Sequence, residues 1–210
     1  MQKNIFIMGD SYSTYKGHIP EGYNCYYGND DPNAPVIASV EKTWWKMLSS
    51  KMNYNIAMND SFSGSTVCNT VRENYSISSS FVSRIDKYIE ENFFEENKID
   101  EIFLFGGTND SWTDAPLGEL KYENWTADDL KCVLPAFCYI LHKFKNTIKV
   151  SDVTVIINTE LKESIADGIK SACAKYGFLY VQLKDIDKIN GHPTTLGMEQ
   201  IANQVADCLK

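Results

Sequence analysis

Ile5-Phe6-Ile7-Met8-Gly9-Asp10-Ser11-Tyr12-Ser13 is the stretch that decides the fold. Four apolar residues run straight into Gly-Asp-Ser. The pattern reads as a buried strand that turns on a glycine and releases a serine hydroxyl at its carboxyl end. Open α/β sheets place their ligands at that edge. Two further loops carry matching chemistry: Gly106-Gly107-Thr108-Asn109-Asp110 follows another apolar run, and His192-Pro193 lies near the carboxyl terminus. A serine, an asparagine and a histidine on separate loops can supply a nucleophile, an oxyanion donor and a base.

Working outward, five short apolar runs read as strands buried on both faces: Asn4–Met8, Tyr54–Met58, Glu101–Phe105, Val153–Asn158 and Phe178–Gln182. Helical spacing marks the segments between them, at Thr43–Met52, Phe81–Phe94, Thr126–Phe144, Leu161–Tyr176 and Thr195–Leu209. Thr126 reads as an N-cap with acidic residues in the first turn, and Pro135 predicts a kink or break. Alternating strands and helices predict an α/β class, a three-layer α/β/α sandwich, because parallel strands need crossovers. Right-handed crossovers favour a five-stranded parallel sheet in the flavodoxin-like order 2-1-3-4-5. That order brings Ser11, Gly64 and Asn109 to one edge. Two long loops, 12–42 and 111–125, are rich in aromatics, which can either pack or stack on a ligand.

The chain has 210 residues, the size of one domain, so 1–210 is expected to form a single unit. The net charge of −8 argues against a nucleic-acid partner. No apolar run approaches the length of a membrane span. Met1-Gln2-Lys3 leads directly into the first strand, with no room for a cleavable leader ahead of Ser11, so a cytoplasmic location is expected. The six cysteines include no Cys-x-x-Cys pair and no zinc spacing; they read as reduced and mostly buried. No metal or organic cofactor is expected, and the oligomeric state is left open.

The four blocks together resemble the SGNH hydrolases, the GDSL-type esterases and lipases. Gly9-Asp10-Ser11 is similar to the family's first block. Asn59-Asp60-Ser61-Phe62-Ser63-Gly64-Ser65-Thr66 is similar to the second, Gly107-Thr108-Asn109-Asp110 to the third, and His192-Pro193 with Gly197 to the last. The resemblance implies Ser11 as nucleophile and His192 as base. It implies an oxyanion hole built from the Ser11 N–H, the Gly64 N–H and the Asn109 side-chain amide. It also implies an aspartate three residues before the histidine, where this chain has Ile189. Asp187, Asp185 or a backbone carbonyl must then orient the imidazole, and Asp187 is the candidate acid.

The expected activity is hydrolysis of a carboxylic ester through an acyl-enzyme. The substrate is a small-molecule or carbohydrate ester, such as an O-acetyl sugar, because flat aromatic faces stack on sugar rings. A competing reading is a non-catalytic ligand-binding module on the same fold with a degenerate catalytic acid. A flavodoxin-like cofactor protein is a third. It needs a phosphate cradle after the first strand, and Tyr12 and Tyr15 crowd that loop.

Overall fold

The computed structural model describes residues 2–29 and 34–210. Five parallel strands form the sheet: β1 (Lys3–Gly9), β2 (Tyr54–Ser61), β3 (Glu101–Phe105), β4 (Asp152–Ile157) and β5 (Leu179–Gln182). Their order is β2-β1-β3-β4-β5, as the sequence predicts. Among the described residues seven α-helices accompany them: α1 (Trp44–Met52), α2 (Phe81–Glu90), α3 (Phe93–Glu96), α4 (Thr108–Trp112), α5 (Val133–His142), α6 (Glu163–Tyr176) and α7 (Thr195–Cys208). A two-stranded antiparallel hairpin, β6 (Lys188–Ile189) with β7 (His192–Pro193), stands before α7.

Strand alternation divides the core into two layers. Phe6, Met8, Ile102, Leu104, Val153, Val155 and Ile157 face α2, α5 and α6. Ile5, Ile7, Phe103, Phe105, Ile156 and Val181 face α1 and α7. Both faces are therefore apolar, which is why the strands read as continuous hydrophobic runs. Burying one such side chain contributes ~1.5–3 kcal/mol. Among the described residues no helix is long and apolar enough to cross a membrane. Cys68, Cys138 and Cys173 are buried, Cys25 and Cys132 half-buried and Cys208 exposed, and all six are free thiols.

Two helices differ from the sequence expectation. The Phe81–Phe94 pattern breaks after Glu90, and Asn92 takes a left-handed φ of 56° before α3 begins. The Thr126–Phe144 pattern starts late, at Val133. Thr126 instead precedes a single 3-10 turn over Asp129–Lys131 whose N-cap is Asp128, with Thr126 N–H donating to Asp129 Oδ2 at 2.6 Å and Asp129 N–H donating to Thr126 Oγ1 at 3.2 Å. Pro135 makes no kink. It is the third residue of α5, where an N–H would have no intrahelical acceptor. The amides just before it, of Val133 and Leu134, donate to the carbonyls of Pro116 and Leu117. The irregularity lies at the other end, where α5 runs into a π-type turn over Lys143–Ile148.

Candidate active site

The register of the sheet assembles the site. Gly9 pairs with Ser61 on one side and with Phe105 on the other. The ends of β1, β2 and β3 are thus level, and the loops that follow carry Ser11, Gly64 and Asn109. A buried ion pair ties two of these ends together. Arg84 Nη1 meets Asp60 Oδ2 at 2.6 Å, and Arg84 Nη2 donates to the Gly9 carbonyl at 3.1 Å. Gly9 has no room for a side chain, since a Cβ would lie 2.6 Å from both Ser13 and Ser61.

Ser11 opens a 3-10 turn over Ser11–Ser13, capped by Asp10, whose Oδ1 accepts from the Tyr12 N–H at 3.1 Å. Asp10 is fully buried, and burial pushes its carboxyl up to about 7. Asp110 is buried as well and accepts from the Val67 and Cys68 amides, at 2.8 Å for the closest contact. Both aspartates shape loops. Gly64 adopts φ +85°, and a Cβ there would lie 2.1 Å from the Tyr75 hydroxyl oxygen. Asn109 sits in the first turn of α4, behind Gly107 at φ 96°. Its Nδ2 donates to the Ser65 carbonyl at 2.9 Å. Among the described residues neither the Ser11 N–H nor the Gly64 N–H has an intramolecular acceptor.

His192 completes the set. Its Nε2 lies 3.0 Å from Ser11 Oγ, and its Nδ1 lies 3.1 Å from the Asn190 carbonyl oxygen. A carbonyl only accepts, so Nδ1 carries the proton and Nε2 offers its lone pair to the serine. That is the tautomer a general base requires. Burial lowers the His192 pKa from its usual value, and the nearby Lys188 and Arg72 charges lower it further, while the Asn190 carbonyl raises it.

Asp187 does not orient the imidazole, which corrects the sequence expectation. Its carboxylate accepts from the Thr194 hydroxyl, its N–H donates to Gln200 Oε1 at 2.7 Å, and its carbonyl accepts from the Thr194 N–H at 3.1 Å. Asp187 therefore ties the hairpin to the start of α7. Asp185 is exposed as well. The physical reason lies in the hairpin. Asn190 (φ 50°) and Gly191 (φ 74°) form a two-residue turn with positive φ at both positions, the form that matches strand twist. This turn places Ile189 across from His192 and sets Asp187 beside Thr194, which takes up its carboxylate and its carbonyl. The Asn190 carbonyl then occupies the place at Nδ1.

The long aromatic loop packs around the histidine. Tyr12 and Tyr27 are buried and hold the histidine strand, Tyr12 Oη on the Gly191 carbonyl and Tyr27 Oη on the Pro193 carbonyl at 2.9 Å. Tyr26 stacks on the imidazole, with ring centroids 3.8 Å apart and 15° between planes. Trp112 stands edge-on to His192 at 5.7 Å and is 43% exposed. Sequence reasoning missed a second network. The Asn158 side chain bonds the Tyr12 hydroxyl, Thr108 Oγ1 and Lys188 Nζ. It also missed Arg72, Arg84 and Lys188, because long cations in polar segments read as solvent-facing. The Asn190-Gly191 dipeptide was the available signal for the hairpin.

A family model for GDSL-like lipases/acylhydrolases matches residues 3–209. The chain belongs to the GDSL-like lipase/acylhydrolase family. Among solved structures, it is similar to a proposed GDSL-like lipase from Bacteroides uniformis, with 39% identity over 98% of this chain and 94% of that one, at TM-score 0.89. It is likewise similar to a proposed GDSL-like lipase from Bacteroides ovatus, with 37% identity over 100% of this chain and 98% of that one, at TM-score 0.88. A carbohydrate esterase family 2 enzyme from Corynascus thermopiles is 14% identical over 99% of this chain and 65% of that one, at TM-score 0.64. That last likeness is one of fold alone. No curated protein matches the chain significantly in sequence. The family and its two Bacteroides relatives make this GDSL-like chain an esterase.

Proposed function

We propose that this GDSL-like esterase cleaves a carboxylic ester through an acyl-enzyme on Ser11, with His192 as base. The contact of Ser11 Oγ with His192 Nε2 at 3.0 Å, with Nδ1 held by the Asn190 carbonyl, carries the reading. Ser11 Oγ attacks the ester carbon as its proton passes to Nε2. The carbonyl oxygen becomes an oxyanion, which the Ser11 and Gly64 amides and the free Asn109 N–H are poised to receive. As the oxyanion collapses, the alcohol leaves with the proton from Nε2. Water then repeats the sequence and frees the acid.

The acyl group we favour is small, such as an O-acetyl group on a carbohydrate. Support comes from the aromatic surface beside His192, where Tyr26 is half-buried and Trp112 exposed, which suits a sugar ring. We assign the reaction to the cytoplasm on the strength of the six free thiols, which suit a reducing compartment.

Labelling with a fluorophosphonate probe followed by peptide mapping tests the assignment. Label on the Ser11 peptide is expected, together with loss of p-nitrophenyl acetate turnover in a folded Ser11→Ala variant. Retention of most turnover by that variant, or label on another serine, would overturn it.

A further inference from the structure

Arg72 lies on the exposed loop between β2 and α2, and its Nη1 donates to Asn109 Oδ1 at 3.1 Å. Its guanidinium carbon stands 5.7 Å from the centre of the Tyr75 ring, and Tyr75 in turn covers Gly64. One short segment, residues 72–75, therefore touches two of the three groups poised for the oxyanion. Among the described residues Arg72 forms no ion pair, so its charge is not cancelled by a carboxylate.

The Asn109 amide is held from both ends. Arg72 can only donate, and the Ser65 carbonyl can only accept. Only one orientation of the amide satisfies both, and it leaves one Nδ2 hydrogen unclaimed. A hydrogen bond from a charged donor to Oδ1 draws electron density toward the oxygen and makes the remaining N–H a stronger donor.

We propose that Arg72 is a positioning residue for ester hydrolysis, acting through Asn109 to polarise the oxyanion hole. The proposal rests on the assignment of Ser11 and Asn109 above. The interaction strengthens as negative charge develops on the substrate oxygen, so it acts on the transition state more than on the bound ester. The loss should therefore fall on kcat.

A second readout follows from charge. The charged groups around His192 are Lys188, Arg72 and Glu160, of which the two cations disfavour the imidazolium. Removing Arg72 should move the acid limb of the rate profile to higher pH. A residue that merely folds its loop would not move that limb.

The test is steady-state hydrolysis of p-nitrophenyl acetate, a neutral ester, by wild type, Ser11→Ala, Arg72→Ala and Arg72→Lys. We expect Arg72→Ala to lower kcat about tenfold with KM within about twofold, and to shift the acid limb upward. Arg72→Lys, which keeps the charge, should recover part of kcat and return the limb. Unchanged kcat in Arg72→Ala, or a change confined to KM, would overturn the proposal. So would equal losses in Arg72→Ala and Arg72→Lys with a lowered unfolding midpoint. Full turnover by Ser11→Ala would instead remove the Ser11 assignment, and this inference with it.

Discussion

His192 Nδ1 meets the main-chain oxygen of Asn190, two residues earlier in the same hairpin turn, at 3.1 Å. A carbonyl dipole fixes the tautomer as well as a carboxylate does. It lacks the full negative charge that would steady the imidazolium formed in the proposed attack by Ser11. In the mechanism we propose, the site is a dyad with a neutral orienting group.

Removal of the Asp187 charge should therefore matter little to the reaction. Asp187→Asn keeps an oxygen for the Thr194 hydroxyl and should hold kcat for p-nitrophenyl acetate within about twofold. Ile189→Asp is the complementary change, since Ile189 pairs with His192 across the hairpin and is 54% exposed. It should raise both kcat and the pKa of the acid limb, because a nearby carboxylate favours the charged imidazole. A fall of tenfold or more in Asp187→Asn would restore Asp187 to the triad.

Loss of the Asn109 amide should be costly. Asn109→Ala should lower kcat by ~10²–10³ with a smaller change in KM, as for the loss of one oxyanion donor. An effect on KM alone would make Asn109 a residue that binds the ground state.

Much of this was legible in the residues. The strands were readable because both faces of the sheet are covered, which leaves uninterrupted apolar runs such as Ile5–Met8. Ser11, Gly64, Asn109 and His192 were readable because small or polar residues at strand ends have few structural uses in combination. Asp187 was misplaced because residue types alone do not show which acceptor a turn brings to Nδ1. Asn190-Gly191 reverses the chain in two residues and brings the Asn190 carbonyl to the imidazole, while Thr194 takes up the acid. Arg72 and Arg84 were illegible for another reason. Their roles depend on partners at Asn109 and Asp60, 37 and 24 positions away, and no local pattern announces such a meeting.

The same turn predicts the response to a single methyl group. Gly191 has φ 74°, and a Cβ there would lie 3.2 Å from the Trp112 ring. Gly191→Ala should destabilise the fold by ~1–2 kcal/mol through the left-handed backbone alone. It should lower kcat/KM further by displacing His192. Urea unfolding and kinetics on the same preparation separate the two effects. Full stability with full activity would show that the turn tolerates the side chain.

The pH profile carries its own sign. Burial, with Lys188 and Arg72 nearby, lowers the His192 pKa, so the neutral base persists below its usual titration range. kcat/KM should be flat at neutral pH and fall as pH drops through that lowered pKa, below the ordinary ~6.5. Stability moves the same way for this group, because the unfolded chain takes up the proton first. A limb at or above 6.5 for the wild type would contradict the buried, neutral imidazole.

Asn190 contributes to the site through an atom that every amino acid possesses. No substitution at position 190 deletes a main-chain oxygen, so the group that aims His192 cannot be lost by changing one side chain for another. What selection can alter is the pair of torsion angles that point it. Part of the reactivity of this enzyme is thus encoded as backbone shape, and its vulnerability is transferred from an acid to a glycine.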